Sequence, residues 1–229
     1  MPHVSRSALS LLLVMHGLLA GAVDQTQDAE LVRALKTSAT GLDRARLLPS
    51  DDDWRFDYRA HEYHTYAPGG VVNANAATFP ATVGNGMTMA WVSLGPCAML
   101  PPHYHPRAAN YIVAVEGATE TFMLLENGAR LVKTKLEPGQ MTLFPTGSLH
   151  AMQNTGCGNA TLISALSSED AGTHNVANGL FDLPPEMLAA AFGDRLSEEL
   201  PKLAKGIPGV GTGASDGSAA CLKRCEELR

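Results

Sequence analysis

With 229 residues, 45% of them hydrophobic and 17% charged, the chain is long enough to bury a substantial core and too apolar to be disordered. Its formal charge of -6 excludes a nucleic-acid partner held by a basic surface. Four cysteines, read beside an N-terminus of secretory pattern, point to disulfides more than to free thiols.

Residues 1–22 have the pattern of a signal peptide. Arg6 precedes an apolar stretch over 8–22, and Ala20-Gly21-Ala22 supplies small residues for cleavage. That stretch is shorter than the roughly 20 residues a membrane span needs. The mature chain is therefore expected to be secreted and extracellular, with no membrane contact. Residues 23–52 form an N-terminal helical segment: Leu31, Leu35 and Leu42 recur at helical spacing, Asp28 is placed to cap, and "PSDDDWRFDY" breaks the pattern.

From 53 to 180 the texture becomes short β-rich runs separated by Gly, Pro and Asn. "MTMAWVSLG", "NYIVAVEG", "ETFMLLENG", "ARLVKTKLEPG", "QMTLFPTG", "LHAMQN" and "ATLISALSS" each have strand length, and Asn127-Gly128 suits a type I′ hairpin turn. Such a series predicts a β-sandwich or closed barrel. Residues 181–206 return to helix. "DLPPEMLAAAFG" starts at prolines and ends at Gly193, and in the next stretch Pro201 is expected to end or kink the helix. Residues 207–229 read as a flexible Gly/Ser-rich tail carrying Cys221 and Cys225. Pairing near with near gives Cys97–Cys157 and Cys221–Cys225 among the three possible connectivities. Asn159, in "NAT", is the one N-glycosylation acceptor motif.

Two stretches carry chemistry. "PPHYHPRAANYIVAVEG", 101–117, places His103 and His105 one residue apart, on the same face of an extended strand. Asn110 follows with opposite parity, so "PRAA" must bend before all three can aim inward. In "EPGQMTLFPTGSLHAMQN" the order Gly139, Pro145, Gly147, His150, Asn154 sets tight turns about a strand and brings His150 toward the same interior. Three neutral imidazoles from two strands suit a divalent transition metal.

These residues resemble the cupin superfamily. The second stretch is similar at every position to the pattern G-x5-P-x-G-x2-H-x3-N. The first matches H-x-H-x(3,4)-E-x6-G at His103, His105 and Gly117, with Gly95 upstream, but has Asn110 where the pattern has Glu. "PPHYHPRA" resembles the germin-like branch, and "FPATVGNGMTMA", "SSEDAGT" and "LPPEML" resemble the spherulin-like one. The resemblance implies an all-β jelly-roll barrel with short N- and C-terminal helices over the barrel region 53–180. It also implies one divalent metal ion, manganese by family, with His103, His105, Asn110 and His150 at the ligand positions. An Asn carbonyl can bind a hard cation but brings no charge. Manganese then loses most, whereas copper or zinc can stay on three imidazoles. The other reading has Asn110 off the metal and a water or anion in its place. Both stay open.

The function implied is a metal-holding extracellular or wall protein; the alternative is a metal-dependent oxidoreductase acting on a small organic acid or phenolic compound. The germin type of oxalate oxidase positions its substrate with two asparagines, and the matching places here are Ala90 and Leu100, which cannot donate a side-chain hydrogen bond. That activity is not expected. The partner is a small molecule or none, and a homo-oligomer is left open. His61, Glu62 and His64 read as a surface loop, and His174 has no assigned role.

Overall fold

Between residues 69 and 175 the alternation of apolar and polar residues resolves into ten strands in two five-stranded sheets. The structure, a computed structural model, describes residues 25–193 and 199–228. The expected signal peptide and residues 194–198 lie outside the described residues.

The strands are β1 (Gly69–Ala74), β2 (Thr88–Leu94), β3 (Met99–Tyr104), β4 (Asn110–Glu116), β5 (Thr119–Leu124), β6 (Val132–Leu136), β7 (Met141–Phe144), β8 (Leu149–Asn154), β9 (Ala160–Leu166) and β10 (His174–Asn175). One sheet runs β1-β2-β9-β4-β7 and the other β10-β3-β8-β5-β6, with every pair antiparallel. This is the jelly-roll-like barrel the motifs imply. Every run expected as a strand is one. β1 and β10 were not foreseen: "GGVVNA" lacks a clean alternation, and β10 is two residues long.

The inner faces meet in a core of Val92, Leu94, Leu100, Ile112, Leu136, Phe144, Met152 and Leu162, all nearly inaccessible. Period-two pairing fixes which side chains share it. Thr88, Leu166, Asn110 and Phe144 lie opposite one another across the first sheet; Ala90, Ser164 and Ile112 form the next row. Asn154 closes the far end. Its Nδ2 donates to the carbonyls of Leu94, Gly95 and Gly158, and its Oδ1 accepts from Gly156 N–H, so one buried amide ties two turns together.

The flanks depart from expectation in instructive ways. The N-terminal segment is two helices, α1 (Ala29–Thr37) and α2 (Gly41–Arg46), with Asp28 capping the first at Leu31 N–H and Thr40 capping the second at Asp43 N–H. Val32 and Leu35 of α1 pack on Ala76, Ala81 and Val83, outside the barrel. After β10 come α3 (Val176–Phe181) and α4 (Pro185–Phe192), the latter ending at Gly193 as expected. Pro201 lies in the first turn of α5 (Leu200–Gly206), where its missing N–H costs nothing because first-turn amides have no intrahelical acceptor; the residues before it expected to be helical, 194–198, lie outside the described residues. The β5–β6 hairpin does not use a two-residue type I′ turn. Its loop spans 125–131, with Gly128 at φ 90° and no positive φ at Asn127.

The tail departs most from what its composition suggests. Residues 207–218, expected as a flexible linker, lie along the barrel: Val71 N–H donates to Thr212 O, and Met99 and Ser215 exchange backbone hydrogen bonds. They lead to α6 (Ala219–Glu227), capped by Ser218. The disulfides are Cys97–Cys221 and Cys157–Cys225, with Cα separations of 5.7 and 5.3 Å, not Cys97–Cys157 and Cys221–Cys225. Cysteines four apart on a helix point out from one face side by side. They face the barrel, and each bonds a cysteine there.

Candidate metal centre

His103 comes from β3 of the second sheet. A register shift between Leu100 and His103, at Pro101-Pro102, turns both Leu100 and His103 inward although three positions separate them. His105 lies one residue past the strand, before the turn at Pro106-Arg107. That turn carries the chain across to the first sheet, where Asn110 opens β4. The parity conflict between His105 and Asn110 therefore vanishes: they face the interior from opposite sheets. Gly147, at φ 76° in the turn before β8, adopts a backbone that a side-chain-bearing residue resists, and His150 follows directly opposite His103.

The three rings converge. Their ligand nitrogens lie within 4.8 Å of one another, and ring centroids are 4.3 Å apart for His103–His150, 5.2 Å for His103–His105 and 5.3 Å for His105–His150. All three residues are buried. Each Nδ1 meets a backbone carbonyl: His103 that of Pro101 at 2.7 Å, His105 that of Gly172 at 2.7 Å, His150 that of Ser148 at 2.8 Å. A carbonyl only accepts, so each Nδ1 carries a proton, and in the neutral ring Nε2 keeps the lone pair. These carbonyls fix tautomer and ring direction in the way metal-binding histidines require.

Burial, more than anything else, holds His150 down at about 4, with the Ser148 hydrogen bond opposing and His105 adding a smaller depression. His103 is driven well below 6.5 by burial first, then by His150 and His105. Both are neutral at neutral pH. His150 Nε2 is buried with no hydrogen-bond partner among the described residues. A lone pair without a partner in an apolar interior is costly unless something electrophilic meets it. A divalent cation fits that need and this all-nitrogen donor set.

Around the trio, Phe144 stacks on His150 at 4.2 Å with 11° between planes, setting one wall. Asn110, also buried, brings Nδ2 to 3.5 Å from His105 Nε2, while its Oδ1 lies 2.5 Å from Ser164 Oγ. Neither Phe144 nor Ser164 stood out in the sequence, since each is a single residue in an ordinary strand pattern. Gly172, whose carbonyl orients His105, lies in the "SSEDAGT" segment already noted for its resemblance.

The other histidines do not join. His174 pairs within β10 and stacks on Tyr104 at 5.0 Å. His61 accepts from Tyr63 N–H, and His64, expected in a surface loop, is half-buried against Tyr66 and Trp91. Ala90 and Leu100 are buried in apolar clusters.

Known proteins share this arrangement of chain. A family model described as Cupin matches residues 60–199. Spherulin-1A of Physarum polycephalum is 31% identical over 198 residues, spanning 86% of this chain and 79% of that protein. Germin-like protein 1-1 of Oryza sativa subsp. japonica is 33% identical over 183 residues, 76% of this chain and 83% of that one. A solved structure from work on the mechanism of oxalate oxidase superposes with a TM-score of 0.61 at 25% identity, covering 69% of this chain and 84% of that chain.

Proposed function

The chain belongs to the cupin family, and from that footing we propose that it is a secreted germin- and spherulin-like protein of the extracellular space or wall. In this reading it holds one divalent metal on His103, His105 and His150. The observation that carries the metal is the set of three buried Nε2 lone pairs turned to one space by carbonyls on every Nδ1. A bound divalent metal supplies a Lewis-acid or redox centre. The chain's residues orient the imidazoles, keep His103 and His150 unprotonated by burial and wall the site with Phe144. With Asn110 in place of a carboxylate, no protein charge offsets the metal, which favours copper or zinc over the manganese that family resemblance suggests. Two disulfides support export to an oxidising compartment.

A second reading, a metal-dependent oxidoreductase acting on a small organic acid or phenolic compound, draws on the fold shared with oxalate oxidase. Buried, apolar Ala90 and Leu100 argue against the germin type of oxalate chemistry. Self-association is supported by Tyr111, Val115, Met141 and Leu143, exposed on the outer face of β4 and β7. The deciding experiment is elemental analysis of protein purified from culture medium, beside the His103→Ala, His105→Ala and His150→Ala variants. One equivalent of a transition metal in the wild type, lost in each variant, is expected. A metal-free wild type that takes up none on addition would end the proposal. Oxygen uptake with small acids and phenols then separates the two readings.

A further inference from the structure

Resting on the metal reading above, we infer that Asn110 serves the centre as a hydrogen-bond donor, oriented by Ser164. The position facing the three imidazoles then takes a small anion that accepts this bond.

Ser164 sits in β9 directly opposite Ile112, two residues along from Asn110 on the same inner face, which is the diagonal contact of a strand pair. Its Oγ lies 2.5 Å from Asn110 Oδ1, and both residues are buried. Among the described residues, this is the one hydrogen bond of the Ser164 hydroxyl. The hydroxyl therefore donates to Oδ1. Turning the amide over would make Nδ2 donate to Ser164 and leave the buried hydroxyl hydrogen without a protein acceptor, which buried polar groups avoid. In the metal-free site it would also set Oδ1 against the Nε2 lone pair of His105, where Nδ2 now stands at 3.5 Å.

The consequence separates Asn110 from the Glu of the family pattern. A Glu there offers an oxygen and a negative charge; here the oxygen is committed to Ser164, and an amino group faces the convergent imidazoles. Neutral donors leave the charge of a divalent metal uncompensated, so the missing negative charge has to come from outside. An anion small enough for the interior, with a second atom able to accept from Nδ2, meets both demands. Ser164 is a positioning residue: it acts through Asn110.

The test uses the full chain loaded with cobalt(II), whose visible bands report coordination, and titrates azide into wild type, Asn110→Ala, Ser164→Ala and the double variant. Loss of a hydrogen bond to a charged group should weaken azide about tenfold or more in Asn110→Ala. Ser164→Ala should weaken it less, and the double variant should be no worse than Asn110→Ala, because both changes act on one amide. Asn110→Asp preserves the shape but offers a carboxylate oxygen, so its cobalt bands should shift without azide and azide should no longer add. Equal azide affinity in all four proteins, or additive losses in the double variant, would overturn the inference while leaving the metal centre standing. Failure of wild type to bind cobalt, or equal binding by His150→Ala, would instead remove the metal reading beneath it.

Discussion

The metal-free protein should be unusually sensitive to mild acid, and His150 sets the size of the effect. In the unfolded chain its imidazole takes a proton as pH falls through the ordinary value of 6.5, whereas in the fold it does so only near 4. Between those values the unfolded state binds more protons, so acidification favours unfolding. Stability from this group is fully present above 6.5 and is lost progressively down to about 4. At about 1.4 kcal/mol per pH unit, that interval is worth about 3 kcal/mol. A domain of this kind has about 5–15 kcal/mol in total, so the loss is a large part of it. His103, also depressed by burial, acts in the same direction. The assay is chemical denaturation in the presence of a chelator at steps between pH 7 and pH 4, comparing wild type with His150→Gln, which stays neutral throughout. The rest of the chain is common to both proteins, so the difference between the two curves reports His150 together with its effect on His103. The wild-type midpoint should fall more steeply with acid than that of the variant. Parallel curves would refute the reasoning, since they would mean that the buried imidazole gains its proton as easily folded as unfolded.

Three further outcomes follow from packing and covalent structure. Asn154→Ala should lower stability by on the order of 3 kcal/mol, because the buried carbonyls of Leu94 and Gly95 and the more exposed one of Gly158 lose their donor at once; a denaturation midpoint close to wild type would show that those carbonyls find other partners. Phe144→Ala should cost about 3–5 kcal/mol by opening a cavity in the core, and it should also weaken metal uptake by freeing the His150 ring, a pairing of effects that a purely structural residue would not produce. Digestion without reduction should release Cys97 linked to the Cys221 peptide and Cys157 linked to the Cys225 peptide; recovery of a Cys97–Cys157 crosslink would contradict the docking of α6.

The fold was legible because its sheets are built from short alternating runs, a signal that survives in sequence even when pairing does not. The site was legible in its imidazoles because spacing within each motif is local: one residue between His103 and His105, and a fixed turn before His150. What was not legible is the relation between elements. Nothing in "HPRAAN" announces that the turn at Pro106 carries the chain from one sheet to the facing one, so the parity of Asn110 looked like a conflict to be bent away. Ser164 is silent for the same reason. Its place opposite Ile112, diagonal to Asn110, exists only once β9 lies beside β4.

The cysteines show this limit most sharply. Near-with-near pairing assumes that closeness along the chain is closeness in space, which holds for strands joined by a hairpin and fails for a helix. Cys221 and Cys225 are one turn apart with parallel side-chain directions, so each needs a partner across an interface. The partners lie 124 and 68 residues upstream, and the sequence offers only the Gly-rich character of the segment between as a guide. That character suggested mobility. In the fold the same residues allow close approach: a side chain at Gly217 would run into the backbone carbonyl of Cys97. Gly217 lets the tail lie against the barrel at this point, and the disulfides hold it there. Crosslinks closing loops of this length remove much of the unfolded chain's freedom, on the order of 4 kcal/mol each in the chain-entropy view. The tail is thus a strap, and Gly217 at least is set by contact rather than by freedom.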